Sequence, residues 1–84
     1  MNPDKMQQLL LNIRDLKYPP QSLRDVEGFE DGLASDLAID RKEAMAMLGY
    51  LLARDYVRII PDMGLVLNPK NEDLQRWIKS GKFV

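Results

Sequence analysis

Four basic residues stand near the two ends of one predicted helix and could bind phosphate groups. They are Arg41, Lys42, Arg54 and Arg58. Guanidinium and ammonium groups hold phosphate oxygens through charge-assisted hydrogen bonds. Contacts of this kind supply most of the sequence-independent affinity of a protein for DNA. We therefore treat these four residues as candidate nucleic-acid-binding residues.

The helix between these basic residues offers little chemistry for reading bases. Its sequence is RKEAMAMLGYLLARD, and at about 100° per residue its small and aromatic residues lie opposite Leu48. These outward residues are Ala46, Gly49, Tyr50 and Ala53. Direct readout needs directed donors and acceptors, such as Arg for guanine or Asn for adenine. The stripe fits a protein surface better, since tyrosine is favoured at interfaces, and we take it as a candidate protein interface.

Two plainer interpretations of this stripe remain open. The alanines could simply be good helix formers in contact with solvent, with Gly49 a tolerated cost of about 1 kcal/mol relative to alanine. Alternatively, the first or last helix of the chain could cover part of the stripe. Single exposed apolar residues need no functional explanation.

The residue types that most enzymes use are missing from this chain. It contains no Cys and no His, which excludes thiolate nucleophiles, imidazole bases and disulfides. Its serines have no partner motif of the kind that a Ser–Lys pair requires. No glycine-rich phosphate loop is present. We predict that the protein is not an enzyme and has no catalytic residues, no metal site and no cofactor.

Length and composition indicate one small globular domain over residues 1–84. Hydrophobic residues make up 45% of the chain and charged residues 30%, with a net charge of -1. Such a charge gives no overall attraction to nucleic acid. No apolar run approaches the roughly 20 residues of a membrane span, and the N-terminus lacks the features of a signal peptide. We expect a cytoplasmic protein without a membrane partner.

The first predicted helix begins at Asn2 and Pro3, because Asn is a good N-cap and Pro suits the first helical position. Its apolar residues recur at helical spacing. They are Met6, Leu9, Leu10, Ile13 and Leu16. The prolines at residues 19 and 20 end this helix. For residues 21–32, which contain two glycines, we predict an irregular segment with one helical turn.

Two further helices are predicted next, a short one over residues 33–39 and a long one over residues 41–55. Asp40 ends the short helix and begins the long one. With Glu43 it forms a capping pattern, in which the Asp side chain accepts a hydrogen bond from an early backbone N–H.

The last part of the sequence predicts a β-hairpin and a final helix. Residues 56–60 are rich in β-branched and aromatic types, which favour a strand. Residues 61–64, Pro-Asp-Met-Gly, favour a tight turn, and residues 65–68 favour the partner strand. The final helix spans residues 72–80, with Gly81 just past its end.

With this order of elements, residues 33–67 resemble the winged helix-turn-helix superfamily of small bacterial and archaeal transcription regulators. The resemblance rests on Leu33, Leu37, Leu48, Leu51, Tyr56 and Val57. It implies an α+β fold with a three-helix core, a two-strand β-hairpin wing and a C-terminal helix. One departure is Asp55, which stands where many relatives carry Gly, so no obvious left-handed cap is expected after the long helix.

The apolar pattern also predicts which residues form the core. These are Leu9, Ile13, Leu37, Leu48, Leu51, Val57, Ile59, Leu67 and Trp77. On the long helix, the residues within about 60° of Leu48 are expected to face the same core. They include Met45 and Leu52.

Two hypotheses for function follow. The resemblance implies a DNA-binding regulatory protein with double-stranded DNA as its partner, and a dimer could bring Arg41, Lys42 and Arg58 of two chains onto one duplex. We place this hypothesis first. The charges favour the alternative, since residues 25–40 contain six acids without one Lys or Arg, and acids near phosphates repel. The alternative is a protein-interaction module or homodimer that uses the outward stripe of the long helix and makes no DNA contact.

Overall fold

The computed structural model describes residues 2–80, which form an α+β fold of five helices and one antiparallel hairpin. The elements are α1 (Pro3–Arg14), α2 (Pro20–Leu23), α3 (Val26–Leu37), α4 (Arg41–Ala53), β1 (Val57–Ile60), β2 (Gly64–Leu67) and α5 (Glu72–Ser80). Gly81, which was expected just past the end of the last helix, lies outside the described residues.

Helix α1 begins as the sequence predicts. The side chain of Asn2 accepts hydrogen bonds from the backbone N–H groups of Asp4, at 2.9 Å, and Lys5, at 3.4 Å. Most of the predicted apolar stripe is buried, namely Met6, Leu9, Leu10 and Ile13. Leu16 was expected to continue the stripe, but it follows the end of the helix, has a left-handed φ of 57° and is exposed.

The segment predicted to be irregular is mostly helical. Helix α3 starts at Val26 and includes Gly28 and Gly32, the two glycines of the segment that was predicted to be irregular. A glycine costs only about 1 kcal/mol inside a helix, and α3 offsets this cost by packing its buried residues into the core. They are Leu33, Ala34 and Leu37. The helix ends before residue 39, because Ala38 adopts the left-handed conformation.

Helix α4 has the predicted N-cap and an unexpected C-terminus. Asp40 accepts a hydrogen bond from the N–H of Glu43 at 2.7 Å, which confirms the capping pattern. The helix ends at Ala53, two residues before the predicted end. Asp55 itself adopts a left-handed φ of 60°, so the expectation that this end lacks a left-handed residue is wrong. Aspartate tolerates this conformation better than most residues other than glycine.

The predicted β-hairpin is confirmed, with strands over residues 57–60 and 64–67 in place of the predicted 56–60 and 65–68. Val57 lies opposite Leu67, and Ile59 lies opposite Leu65. Gly64 has the positive φ expected of the turn glycine, 84°. The N–H of Leu65 donates to the carbonyl oxygen of Tyr18 at 3.0 Å, so β2 is bonded to β1 on one edge and to the segment after α1 on the other.

Seven of the nine predicted core residues are buried. They are Leu9, Ile13, Leu37, Leu48, Leu51, Val57 and Trp77. Leu67 is half-buried against this core. The prediction for Ile59 is wrong, since its side chain is 57% exposed. The helices α1 and α2 pack against β2, which buries Leu65 but leaves its partner Ile59 on the outer strand in solvent.

Candidate interaction surface on α4

The buried face of α4 is rotated relative to the predicted one. The buried residues are Ala44, Met47, Leu48 and Leu51. At about 100° per residue, the centre of this face lies about 50° from Leu48, toward Met47. Met47, which the sequence analysis did not place in the core, is fully buried. Leu52, which was expected in the core, is 36% exposed, and Met45 is half-buried at the edge of the core.

This rotation determines which residues of α4 point outward. Ala46 and Ala53 lie nearly opposite the centre of the buried face, and Gly49 lies within about 60° of them on the same angular scale. All three are exposed. A Cβ atom on Gly49 would have no neighbour within 4 Å. No other helix in residues 2–80 therefore covers these three residues.

Tyr50 lies at the border of this outward face. Its side chain is half-buried and packs against the core. The guanidinium carbon of Arg54 lies 4.7 Å from the centre of the Tyr50 ring. This distance is typical of a cation–π contact. Arg54 is therefore held along the surface of α4, and the predicted stripe consists of three exposed small residues with Tyr50 at its edge.

Arg41 is held by two acidic residues of α3. Its Nε and Nη2 atoms donate to Glu30 Oε2 at 2.7 and 2.5 Å, and Nη1 lies 3.6 Å from Asp31 Oδ1. The hydrogen bond to Glu30 raises the pKa of Arg41 above its ordinary value. This ion pair joins the start of α4 to α3 and compensates the charge of Arg41 within the chain.

Arg58 forms a two-point contact with Asp55. Its Nε donates to Asp55 Oδ1 and its Nη2 donates to Asp55 Oδ2, both at 3.0 Å. The hydrogen bond and charge of Arg58 lower the pKa of Asp55, and Asp55 raises the pKa of Arg58. Asp55 also accepts hydrogen bonds from Asn68. Asp55, which follows the C-terminal end of α4, thus also compensates the charge of Arg58, the first basic residue of the hairpin.

Lys42 differs from the other three candidate nucleic-acid-binding residues. It is exposed in the first turn of α4 and forms no ion pair with any residue from 2 to 80. Arg41 and Arg58 are each bonded to carboxylates of this chain, and Arg54 lies on a tyrosine ring. A phosphate group would have to compete with these contacts for each arginine.

Comparison of the chain with known protein families, with characterised proteins and with solved structures found no match. Within residues 2–80, no group of three or more acidic side chains is arranged to hold a metal ion. None of the helices in this range is long and apolar enough to cross a membrane. The surface chemistry of the chain itself is therefore the basis for the function proposed below.

A buried polar network that the sequence analysis did not identify joins α1 to α3. The side-chain N–H of Asn12 donates to Tyr18 Oη at 3.3 Å, and the Tyr18 hydroxyl donates to Asp36 Oδ2 at 3.0 Å. Burial raises the pKa of Tyr18 to about 12, and the charge of Asp36 adds to this effect. The only sequence signal was Asn12, a polar residue within the apolar stripe of α1.

We predict that Tyr18 makes the protein less stable at high pH. Its folded-state pKa of about 12 exceeds the ordinary value of 10.0. The stabilising contribution of the neutral phenol is therefore complete below pH 10 and is lost as the pH rises toward 12. In urea unfolding at a series of alkaline pH values, Tyr18→Phe should show a shallower loss of stability than the wild type.

The same substitution should lower stability at neutral pH by about 1–3 kcal/mol, because the buried N–H of Asn12 loses its acceptor. Tyr56→Phe is the matched control, since the Tyr56 side chain is half-buried and its hydroxyl forms no hydrogen bond within residues 2–80. Equal pH profiles for wild type and Tyr18→Phe would show that Tyr18 does not cause the alkaline effect.

Proposed function

We propose that the protein is a non-enzymatic domain of the winged-helix type that binds another protein through α4. The order of α1, α3, α4, the β1–β2 hairpin and α5 is compatible with the three-helix core, wing and C-terminal helix that the resemblance implies. The contact surface is the outer face of α4, defined here as Met45, Ala46, Gly49, Leu52 and Ala53.

The internal compensation of the arginines is the observation that carries this proposal. Arg41 is bonded to Glu30 and lies close to Asp31, so a phosphate that bound Arg41 would meet two carboxylates at the same place. Carboxylates repel the DNA backbone. Arg58 is likewise bonded to Asp55. The charges of two of the four candidate nucleic-acid-binding residues are therefore compensated within the chain.

The outer face of α4 has the chemistry of a helix-packing surface. The small residues Ala46, Gly49 and Ala53 let the backbone of a second helix approach closely, and Leu52 and Met45 add apolar area at one margin. A second copy of this chain can supply the same face across a two-fold axis, as in most homodimers. We therefore take a second copy as the partner to test first.

We predict that Ala46→Glu abolishes self-association without unfolding the protein. In a dimer that packs α4 against α4, the new carboxylate would be buried without a partner, which is strongly unfavourable. In the monomer it would lie in solvent, since Ala46 is exposed. Sedimentation-velocity measurements on both proteins over a range of concentrations give the test, with circular dichroism as the check on folding.

Ser35→Glu is the control for this experiment, since Ser35 is exposed on α3 and the substitution adds the same charge. The wild type and Ser35→Glu should form dimers at high micromolar concentration, and Ala46→Glu should remain monomeric. A wild type that sediments as a monomer throughout this range would rule out the homodimer.

DNA binding is the second candidate function, and Lys42 favours it. This residue is exposed in the first turn of α4 and is not compensated within residues 2–80. The backbone N–H groups at the N-terminus of a helix favour nearby anions. Lys42 and a released Arg41 could together hold one phosphate at the edge of a groove.

We predict that wild-type protein at micromolar concentration does not retard duplex DNA in low-salt gels, whereas Glu30→Gln combined with Asp31→Asn does. The double substitution removes the two carboxylates that hold Arg41. Retardation should then weaken steeply with added salt, because phosphate contacts release counterions. Wild-type retardation of random and genomic duplexes would favour the DNA function. Arg41→Ala with Lys42→Ala should then weaken binding to all sequences alike.

A further inference from the structure

A second candidate site is a groove on other elements of the fold. It lies between the end of the α1–α2 connection, α2 and α3, with a volume of about 330 Å³. Gly28 and Gly32, four residues apart on α3, form part of its wall. A Cβ atom on Gly32 would have no neighbour within 4 Å. The groove is therefore open along the helix at this glycine, and its volume is at the lower end of the range for ligand sites.

Two aromatic rings border this groove. Tyr18 and Phe29 pack edge to face, with ring centres 5.8 Å apart and planes at 87°. Tyr18 is buried, and its hydroxyl is occupied by Asn12 and Asp36. Phe29 is only half-buried and lines the groove. The face of an aromatic ring attracts cations.

Two carboxylates line the same groove, and neither forms an ion pair within residues 2–80. The carboxylate of Asp36 accepts one hydrogen bond, from the Tyr18 hydroxyl to Oδ2. Asp25 stands at the N-cap position of α3, but its side chain accepts no backbone N–H of that helix. Its carboxylate lies instead over Gly28, in space that a Cβ atom at this position would occupy.

We propose that this groove binds an arginine or lysine side chain from a basic segment of a partner protein. An alkyl chain with a cationic end matches an open glycine wall, an aromatic ring and two uncompensated carboxylates. Of the other acids of residues 25–40, Glu30 and Asp31 face Arg41, and Asp40 caps α4. Glu27 does not line the groove. The proposal goes beyond the function proposed for α4, because the groove involves none of the residues of that surface.

Lys17 places a positive charge in the same groove, which should weaken the binding of a basic segment. It also lines the groove, is exposed and forms no ion pair within residues 2–80. Because Lys17 lines the same groove as Asp25 and Asp36, its positive charge repels an incoming cation. Replacement of Lys17 by a neutral residue should therefore tighten the binding of a basic segment, which a merely structural role of the groove would not cause.

The test is fluorescence anisotropy with a short labelled peptide in which arginine alternates with glycine. A second peptide carries citrulline, a neutral analogue of nearly the same shape, in place of arginine. The arginine peptide should bind at least about tenfold more tightly than the citrulline peptide, which corresponds to one lost charge contact. Lys17→Gln should strengthen the binding of the arginine peptide.

Gly32→Leu is the most specific variant, because its side chain fills the groove while leaving both carboxylates in place. It should weaken arginine-peptide binding at least about tenfold and should not destabilise the helix, since leucine has a higher helix propensity than glycine. Asp36→Asn should weaken binding while keeping an acceptor for Tyr18. Asp62→Asn, in the turn of the hairpin, removes the same charge elsewhere and should have no effect.

Three results would overturn the proposal. They are an arginine peptide that does not bind at millimolar concentration, equal binding of the two peptides, and equal losses for Asp62→Asn and Asp36→Asn. Ala46→Glu should bind the arginine peptide as the wild type does, so failure of the groove and failure of the α4 surface are distinguishable.

Discussion

Gly64→Ala should destabilise the protein by about 3 kcal/mol or more, the largest effect that we expect from a single methyl group. Gly64 has a φ of 84°, in a region that residues with a Cβ rarely adopt. A Cβ atom here would overlap the carbonyl oxygen of Tyr18 and lie 2.8 Å from the carbonyl carbon of Pro19. These neighbours are backbone atoms, so no side-chain rotation can relieve the overlap.

The effect should be large because Gly64 lies beside the contact that joins the hairpin to the rest of the fold. The next residue, Leu65, is fully buried, and its N–H donates to the Tyr18 carbonyl oxygen at 3.0 Å. Moving Tyr18 and Pro19 away from a new methyl group would lengthen this hydrogen bond and loosen the burial of Leu65. A small domain has a total stability at the low end of about 5–15 kcal/mol, so much of it would be lost.

The same substitution at Gly49 is the matched control, and its effect should have the opposite sign. Gly49 is exposed within α4, and a Cβ there would meet nothing within 4 Å. Alanine should therefore stabilise the helix by about 0.5–1 kcal/mol. Urea unfolding of the wild type and both variants at equal concentration measures the difference. A Gly64→Ala protein as stable as the wild type would show that β2 and the segment after α1 are not in close contact.

The features that the sequence predicted correctly depend on a few neighbouring residues. Asn2 and Asp40 cap helices because their side chains reach N–H groups two or three residues away. The hairpin follows from two β-type segments around a turn that ends in Gly64. In each case the deciding interaction is local, so its partners can be identified along the chain.

The features that it missed depend on contacts between distant segments. Gly28 and Gly32 are weak helix formers, but the packing of α3 against α4 outweighs that preference. Ile59 and Leu65 are both apolar residues in β-type segments, so the sequence does not distinguish them. Only the position of α1 and α2 over β2 decides which one is buried. Helical spacing also could not determine whether Met47 would face the core.

The contacts of the candidate site also separate into local ones, which a sequence argument can reach, and distant ones, which it cannot. The partner of Arg58 is three residues away, so the Asp55 contact was within reach of a sequence argument. The partner of Arg41 is Glu30, on another helix, and its separation of 11 residues matches no local rule. The contact of Tyr18 with Asp36 spans 18 residues. The groove near Tyr18 could not be predicted for this reason.

Leu51→Ala should mainly lower the stability of the fold, whereas Leu52→Ala should mainly weaken self-association. Leu51 is fully buried and Leu52 is 36% exposed, although helical spacing placed both on the core face. Leu51→Ala should cost about 2–5 kcal/mol, the usual range for a buried leucine that leaves a cavity. Leu52→Ala removes less buried area and should cost about 1 kcal/mol.

Self-association should respond in the reverse order, because Leu52 belongs to the outer face of α4 and Leu51 does not. Leu52→Ala should weaken the dimer, since it removes apolar area from that contact. Leu51→Ala should leave the dimer constant nearly unchanged under conditions in which it remains folded. Unfolding is measured at low protein concentration, because dimer formation would otherwise raise the apparent stability, and sedimentation is measured on the same samples at high concentration. If Leu52→Ala left the dimer intact while Ala46→Glu dissociated it, the contact would be centred on the small residues, with the Leu52 margin outside it.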